Sequence, residues 1–207
     1  MNKIIKIIMV STAALLLISS CGCTKGNSMR WTAPPEMQLD LTKKYTAVFD
    51  TTFGSFEIEL FATTAPITVN NFVFLARQGF YNNTVFHRIS KEFVIQGGDP
   101  GTGILGTGGP GYTIEDELQV MRPYDPGIVA MANHNEPNTG GSQFFVCTGY
   151  RASGLDSTPT YTQFGRISSG MDIVLKIAAA PVVLDSQGEM SRPLNPPKIN
   201  KVTIIES

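Results

Sequence analysis

The stretch from Phe86 to Asp99, FHRISKEFVIQGGD, places one arginine among apolar and amide side chains. Arg88 is followed by Phe93 and Gln96, without an obvious acid–base partner beside it. A guanidinium stays charged and offers a rigid fork of N–H donors. Such a group can stabilise a lone pair electrostatically, without forming a covalent bond. Taken alone, Arg88 could equally be a surface residue of a strand, and Phe93 a core residue.

Two other catalytic patterns in the sequence are weak. The run Gly140–Phe144 contains Ser142 but lacks the closing glycine of a nucleophile elbow. The run Gly101–Gly106 matches G-x-G-x-x-G, but the glycines that follow it do not favour the helix that a dinucleotide site requires. With two histidines and no cluster of cysteine and histidine, a zinc site is not expected either. No cofactor and no metal are therefore predicted.

The elements that must position Arg88 begin with two strands and a helix. Residues 45–60 show alternating apolar side chains around a turn that ends at Gly54. A helix is predicted after them, with Thr64 as its N-cap and Pro66 in its first turn. Gly79 is predicted to end this helix. Its apolar stripe at helical spacing consists of Val69, Phe72, Val73 and Ala76.

Short apolar runs separated by glycine and proline dominate the rest of the chain. They predict strands at Val85–Ile89, Phe93–Gln96, Gly127–Ala132, Ser142–Cys147, Gln163–Ile167 and Lys201–Ile205. A second helix is predicted over Met171–Ile177. Many short strands with two helices predict a mainly β domain, an antiparallel barrel or sandwich capped by helices.

The composition is that of one globular domain. The chain has 207 residues, of which 42% are hydrophobic and 16% are charged, and this suits a folded chain with a single core. Its formal net charge is −1. Nucleic-acid binding is not expected, because a protein that binds the phosphate backbone is strongly basic. Cys147 follows three apolar residues and is predicted to be a buried free thiol.

Residues 1–20 predict a lipoprotein signal peptide. Two lysines precede an apolar run over residues 7–18, which is shorter than the roughly 20 residues of a membrane-spanning helix. The residues before Cys21 resemble a bacterial lipobox, with Ile18 in place of the usual leucine. Cys21 is therefore the expected lipidation site. The alternatives are an ordinary signal peptide and lipidation at Cys23.

Cleavage before Cys21 predicts a protein in the cell envelope, outside the cytoplasmic membrane and held by acyl chains. Losing residues 1–20 leaves 14 basic against 17 acidic residues, a net charge of −3. The acyl chains must then provide the anchoring, because such a domain is not attracted to anionic lipid. Residues 21–43 are predicted to be a linker in which Trp31 is loosely ordered.

Several segments of the domain occur together, in this order, in one known family. They are Phe86–Ile89, Phe93–Asp99, Met131–Asn133, Pro137–Val146, Leu155–Asp156 and Phe164–Gly165. The chain from about Tyr45 to Ile205 resembles the cyclophilin family of peptidyl-prolyl cis–trans isomerases. This resemblance implies a closed eight-stranded antiparallel β-barrel capped by two α-helices, over residues 44–207. Together with the lipobox, it suggests a bacterial-type member that is a lipoprotein.

The resemblance also implies the roles of the site residues. Arg88 would donate a hydrogen bond to the prolyl nitrogen, and Gln96 would hold Arg88 and reach the substrate backbone. The hydrophobic proline pocket would consist of Phe93, Val94, Phe145 and Leu155. The residues that bind the substrate backbone or line the adjoining groove would be Ala132, Asn133 and Gln143. His87 is expected to be structural.

The sequence departs from the family pattern at three places. Gly154 precedes Leu155 where some members carry a tryptophan that helps to bind cyclosporin, so cyclosporin binding is expected to be weak. Tyr161 takes the place of a pocket histidine, as in bacterial-type members, so little pH dependence is expected from it. The segment Asn133–Pro137 is one residue longer than the common form, which changes the edge of the groove.

The sequence therefore predicts an enzyme that isomerises X–Pro bonds during protein folding outside the cytoplasm. Its expected partners are proline-containing polypeptides and, through Cys21, a membrane, and the default state is a monomer. A module that binds proline segments without turnover is one alternative, and a hydrolase that uses Ser142 is another. The presence of Arg88, Phe93 and Gln96 together favours catalysis.

Overall fold

The computed structural model describes residues 29–101, 103–119 and 121–207. The predicted signal peptide, Cys21 and Cys23 lie outside the described residues. The strands are β1 (Tyr45–Thr51), β2 (Gly54–Leu60), β3 (Arg88–Ser90), β4 (Val94–Gly97), β5 (Ile128–Met131), β6 (Phe144–Cys147), β7 (Gln163–Ser169), β8 (Val182–Leu184), β9 (Met190–Pro193) and β10 (Ile199–Glu206). The helices are α1 (Pro66–Arg77), α2 (Met171–Ala178) and a short 3-10 helix, Tyr150–Ser157. In this part of the chain, no helix has the length and apolar character needed to cross a membrane.

Eight strands form one antiparallel sheet, in the order β10-β1-β2-β7-β5-β6-β4-β3. The sheet curls until its two ends approach each other, where Val85 and Lys198 form an isolated bridge. Next to it, the Phe86 N–H donates to the Pro197 carbonyl over 2.9 Å. The prediction of a closed barrel was wrong, because β3 and β10 do not pair as strands. A proline has no N–H to donate, so Pro197 cannot continue the ladder.

An aromatic core fills the inside of the curled sheet. Phe49 stacks on Phe56 with ring centroids 4.7 Å apart, and Phe72 of α1 lies between Phe144 and Phe164 at 6.0 and 5.3 Å. All five side chains are at most 1% exposed. Offset and edge-to-face contacts of this kind add to the free energy gained from burial. The core thereby fixes the strands that carry the site.

The start of α1 differs from the predicted cap. Its N-cap residue is Ala65 rather than Thr64, and no side chain of the cap residue accepts a hydrogen bond. The free N–H groups of Ile67 and Thr68 instead donate to the Glu117 carboxylate, over 3.0 and 2.8 Å. A buried carboxylate from a distant loop thus provides the acceptor that a helix N-terminus requires.

The segment before β1 packs on the domain, which is contrary to the expectation for Trp31. The indole ring lies 5.2 Å from the Phe74 ring and 6.0 Å from the Phe80 ring. The backbone N–H of Trp31 donates to the Pro110 carbonyl over 2.8 Å. At Gly111, where φ is +99°, a Cβ would lie 2.5 Å from the Trp31 carbonyl oxygen. Only a glycine allows this close approach of the two backbones.

Strands β8 and β9 form a separate hairpin that the sequence did not predict. Strand β9 lies against β3, so the hairpin adjoins the strand that begins with Arg88. Leu184 and Met190 are opposite each other in the hairpin, and both are more than half exposed. Strand β9 alternates between exposed and buried residues, but it buries Ser191 and exposes Met190. The alternation of apolar and polar residues by which a strand is recognised is therefore missing.

Candidate active site

The strand register aligns the central predicted site residues in one row. Arg88 of β3 is opposite Gln96 of β4, which is opposite Phe145 of β6. Phe145 is in turn opposite Ala130 of β5. Directly opposed residues in a sheet point to the same face. The guanidinium, the amide and the aromatic ring therefore share the outer face of the sheet, one strand apart from each other.

Alternation along these strands separates two apolar clusters. Ile95, Val129, Phe144 and Val146 point into the main core. Val94, Ala130, Phe145 and Cys147 point the other way and form a second cluster with Tyr124, Ile128 and Ala152. Phe93, Leu155 and Tyr161 are partly buried against this second cluster. The predicted proline pocket is thus an apolar surface that is supported from behind by its own small core.

A groove of about 880 Å³ lies over this second cluster. Nine of the predicted site residues line it: Arg88, Phe93, Val94, Gln96, Ala132, Asn133, Phe145, Leu155 and Tyr161. Gln143 lines an adjoining cavity of about 280 Å³, which shares Gln96 and Asn133 with the groove. The structure therefore brings the predicted residues together, and their individual roles remain predictions.

Arg88 is held by a residue that sequence reasoning missed. Its Nε and Nη2 atoms donate to the two carboxylate oxygens of Glu189, over 3.1 and 3.0 Å. One face of the guanidinium lies over the Phe93 ring, with Cζ 5.7 Å from the ring centroid. The side-chain amide of Gln96 donates to the Gln143 side-chain oxygen over 3.1 Å, and the role of Gln96 in holding Arg88 stays a prediction. Nothing in the local sequence around Glu189 signalled this contact.

The aromatic wall of the groove is formed by Phe145 and Tyr161. Their rings meet edge to face, with centroids 5.2 Å apart and planes at 87°. The Tyr161 hydroxyl donates to the Asn135 side-chain oxygen over 3.4 Å. Asn135 belongs to the longer loop and has a φ of +60°, a conformation that asparagine tolerates well. This loop therefore contributes to the edge of the groove.

Asp99 organises the glycine-rich loop on the other side of the groove. It is 2% exposed, and its carboxylate accepts backbone N–H bonds from Gly101, Gly106 and Gly108 over 2.6 to 2.9 Å. The Gln143 amide donates to the carbonyls of Gly106 and Gly108. The run that matched G-x-G-x-x-G is thus a wall of the groove, fixed by a buried carboxylate.

Ser142 and Cys147 are both used in packing. The Ser142 side chain is 1% exposed, and its hydroxyl donates to the Gly98 carbonyl over 2.8 Å. This contact does not favour the hydrolase alternative. Cys147 is free and buried, as predicted. Burial raises the pKa of its thiol to about 12, so the thiolate that nucleophilic catalysis requires is scarce at neutral pH.

Comparison with known proteins identifies the family. The family model described as "Cyclophilin type peptidyl-prolyl cis-trans isomerase/CLD" matches residues 46–204. Peptidyl-prolyl cis-trans isomerase-like 1 of Gibberella zeae is 44% identical over 165 residues, which cover 77% of this chain and 94% of that protein. A peptidyl-prolyl cis-trans isomerase of Arabidopsis thaliana is 36% identical over 176 residues, which cover 84% of this chain and 96% of that protein.

Solved structures agree with this result. The crystal structure of a cyclophilin-type isomerase of Cryptosporidium parvum superimposes with a TM-score of 0.68 at 32% identity. The match covers 78% of this chain and 99% of that chain. The family model, the relatives and the fold lead to the same conclusion. The chain belongs to the cyclophilin-type peptidyl-prolyl cis–trans isomerases.

Proposed function

We propose that Arg88 drives the isomerisation by donating a hydrogen bond to the prolyl nitrogen. Rotation about an X–Pro bond must break the partial double-bond character of the amide. As the bond twists, the nitrogen regains a lone pair that can accept a hydrogen bond. A guanidinium that donates to this lone pair binds the twisted amide better than the planar one, and this difference lowers the barrier. The observation that carries the proposal is the convergence of Arg88, Phe93 and Phe145 in one groove.

The hydrogen bond from Arg88 supplies only part of the acceleration. One hydrogen bond to a charged group contributes about 1.5–3 kcal/mol, which corresponds to roughly 10- to 150-fold in rate. The apolar pocket must supply the rest, by holding the proline ring while the chain on its other side turns. The isomerase of Cryptosporidium parvum was crystallised in the presence of the dipeptide Ala-Pro, which supports proline-containing peptides as substrates here.

Turnover of an X–Pro peptide by Arg88 variants tests this mechanism. Arg88→Ala is expected to lower kcat/KM by roughly 10- to 150-fold, as one charge-assisted bond requires. Arg88→Lys keeps the charge but loses the planar fork, so it should recover only part of the activity. Arg166→Ala is the matched control, because Arg166 pairs with Glu59 outside the groove. Turnover by Arg88→Ala equal to that of the wild type would refute the mechanism.

We further propose that the enzyme acts outside the cytoplasm as a lipoprotein anchored through Cys21. The two relatives named above are from a fungus and a plant, so this proposal is supported by the sequence of residues 1–21 alone. Mass spectrometry of the membrane fraction should find an acylated peptide that begins at Cys21. Cys21→Ser should abolish this modification, whereas Cys23→Ser should not. An N-terminus without lipid, or retention of residues 1–20, would contradict the proposal.

A further inference from the structure

The hairpin of β8 and β9 brings a carboxylate to the key arginine. Glu189 lies 101 residues from Arg88 in sequence, yet both of its carboxylate oxygens accept hydrogen bonds from the guanidinium. The Arg88 side chain is 29% exposed and that of Glu189 is 41% exposed. Both residues line the groove. The pair therefore forms part of the wall that a bound peptide would meet.

The turn of the hairpin holds Glu189 in a fixed place. Asp185 accepts the N–H groups of Gln187 and Glu189 on one carboxylate oxygen, over 2.8 and 2.9 Å. Its other oxygen accepts the Ser191 hydroxyl over 2.9 Å. These hydrogen bonds lower the pKa of the Asp185 carboxyl, and the bond from the Glu189 N–H has the largest effect. Gly188, at φ +83°, lets the chain turn between Asp185 and Glu189.

The pair leaves Arg88 able to donate to a substrate. A guanidinium has five N–H donors, and Glu189 accepts from Nε and Nη2 only. The two N–H groups of Nη1 and one of Nη2 have no hydrogen-bond partner among the described residues. The guanidinium plane is restrained on one edge by the carboxylate and on one face by the Phe93 ring. Its opposite edge is therefore the one presented for binding.

We propose that Glu189 is a positioning residue that orients the Arg88 guanidinium towards the prolyl nitrogen. This inference rests on the proposed role of Arg88. An arginine side chain has many rotamers, and fixing one of them during the reaction is costly. A carboxylate that fixes the guanidinium beforehand removes this cost from the barrier. Because a partly exposed ion pair stabilises a fold only weakly, the effect of Glu189 should be seen in turnover rather than in stability.

Steady-state kinetics of the full-length protein test this role. Glu189→Gln is expected to lower kcat about three- to tenfold and to change KM less than about twofold, because it acts on the transition state. Glu189→Asp should recover part of the loss. Glu59→Gln is the matched control, since the Glu59 side chain is 40% exposed and pairs with Arg166 outside the groove. The Glu59→Gln variant should have the same kcat and KM as the wild type.

A double-mutant cycle separates positioning from a general effect of the hairpin. In an Arg88→Ala background, Glu189→Gln should cause no further loss, because its effect passes through the guanidinium. In the wild-type background, the NMR signal of the Arg88 Nε–H should shift on Glu189→Gln and stay in place on Glu59→Gln. Circular dichroism should show the native fold for each variant.

Three results would overturn the inference. The first is a kcat of Glu189→Gln that equals or exceeds that of the wild type. The second is a loss of kcat on Glu189→Gln that is as large in the Arg88→Ala background as in the wild type. The third is an Arg88 Nε–H signal that does not shift on Glu189→Gln. If Arg88→Ala itself turns over as the wild type does, the role of Arg88 fails as well. If only Arg88→Ala loses activity, the role of Arg88 stands and that of Glu189 is refuted.

Discussion

His87 shows how one buried residue can make stability depend on pH. It lies directly before Arg88 and is 9% exposed, and neither ring nitrogen has a hydrogen-bond partner among the described residues. Burial lowers the pKa of His87 below its ordinary value of 6.5; Asp99 opposes this shift and Arg88 adds to it. The ring is therefore neutral in the folded protein at neutral pH, which fits the structural role predicted for it.

The pKa of His87 leads to a prediction about unfolding. The unfolded chain binds the proton at a higher pH than the folded protein does, so protonation favours unfolding. The free energy of unfolding should therefore decrease as the pH falls through 6.5. Urea unfolding between about pH 7.5 and 5.5, above most carboxylate titrations, measures this slope. His87→Gln should flatten it and exposed His134→Gln should not; equal slopes for His87→Gln and the wild type would refute the prediction.

Sequence reasoning found the groove residues but not the partner of Arg88. The motifs around Arg88, Phe93, Gln96 and Phe145 predicted residues that the structure brings to one groove. Glu189 is one acid among 17 aspartates and glutamates, in a segment without any hydrophobic pattern. An ion pair that spans 101 residues depends on tertiary structure alone. Sequence patterns therefore did not point to Glu189 as a residue that binds Arg88.

At the scale of elements, the segment before β1 behaves as part of the domain. Trp31 packs on Phe74 and Phe80, and Leu39 is 8% exposed. The Asn70 side chain accepts the Gln38 N–H over 2.9 Å. This segment contacts α1 at Asn70 and Phe74, which lie one turn apart on the same side of the helix. Part of the predicted linker that ends at residue 43 is therefore packed on the domain, although residues 40–44 themselves are exposed.

The packing of this segment predicts that Trp31 contributes to stability. Trp31→Ala should lower the free energy of unfolding by about 2 kcal/mol, less than for a fully buried tryptophan because the ring is only partly buried. Chemical denaturation of the two proteins measures this difference. Met37→Ala is the control, because Met37 lies in the same segment and is 50% exposed. Equal unfolding midpoints for Trp31→Ala and the wild type would show that the segment is dispensable.

The strands of the sheet were predictable because each one has a buried and an exposed face or a short apolar run. Strands β1, β2 and β4 to β7 lie where these patterns placed them, within a few residues. The hairpin of β8 and β9 was not predicted, because its apolar residues do not mark its buried face: Leu184 and Met190 are exposed, whereas Ser191 is buried. The cap of α1 was missed for another reason, because Glu117 reaches it from about 50 residues away.

In the molecule as a whole, one sheet has two apolar faces: one packs on the core and the other forms the floor of the groove. The inner face of β4, β5 and β6 packs on the aromatic core, and the outer face carries the floor of the groove. A well-packed core leaves these strands little freedom. The groove is therefore rigid where the proline ring would bind, while its rims are formed by loops and the β8–β9 hairpin.

Closure of the sheet was the part of the fold that sequence patterns could not decide. Whether β3 and β10 pair depends on backbone N–H groups at the point where the sheet ends meet. Pro197 removes one of these donors, and the ends are joined by the bridge of Val85 and Lys198 instead. Hydrophobic periodicity does not report on such a local interruption.

The most direct test of the account is NMR exchange of a proline-containing peptide between its cis and trans forms. The wild-type protein and Arg88→Ala should be compared at equal, substoichiometric concentrations, and peptide affinity should be measured in the same samples. We expect strong acceleration by the wild type and roughly 10- to 150-fold less by Arg88→Ala, with both proteins binding the peptide. Equal acceleration by the two proteins would contradict the claim that Arg88 in this groove drives the reaction.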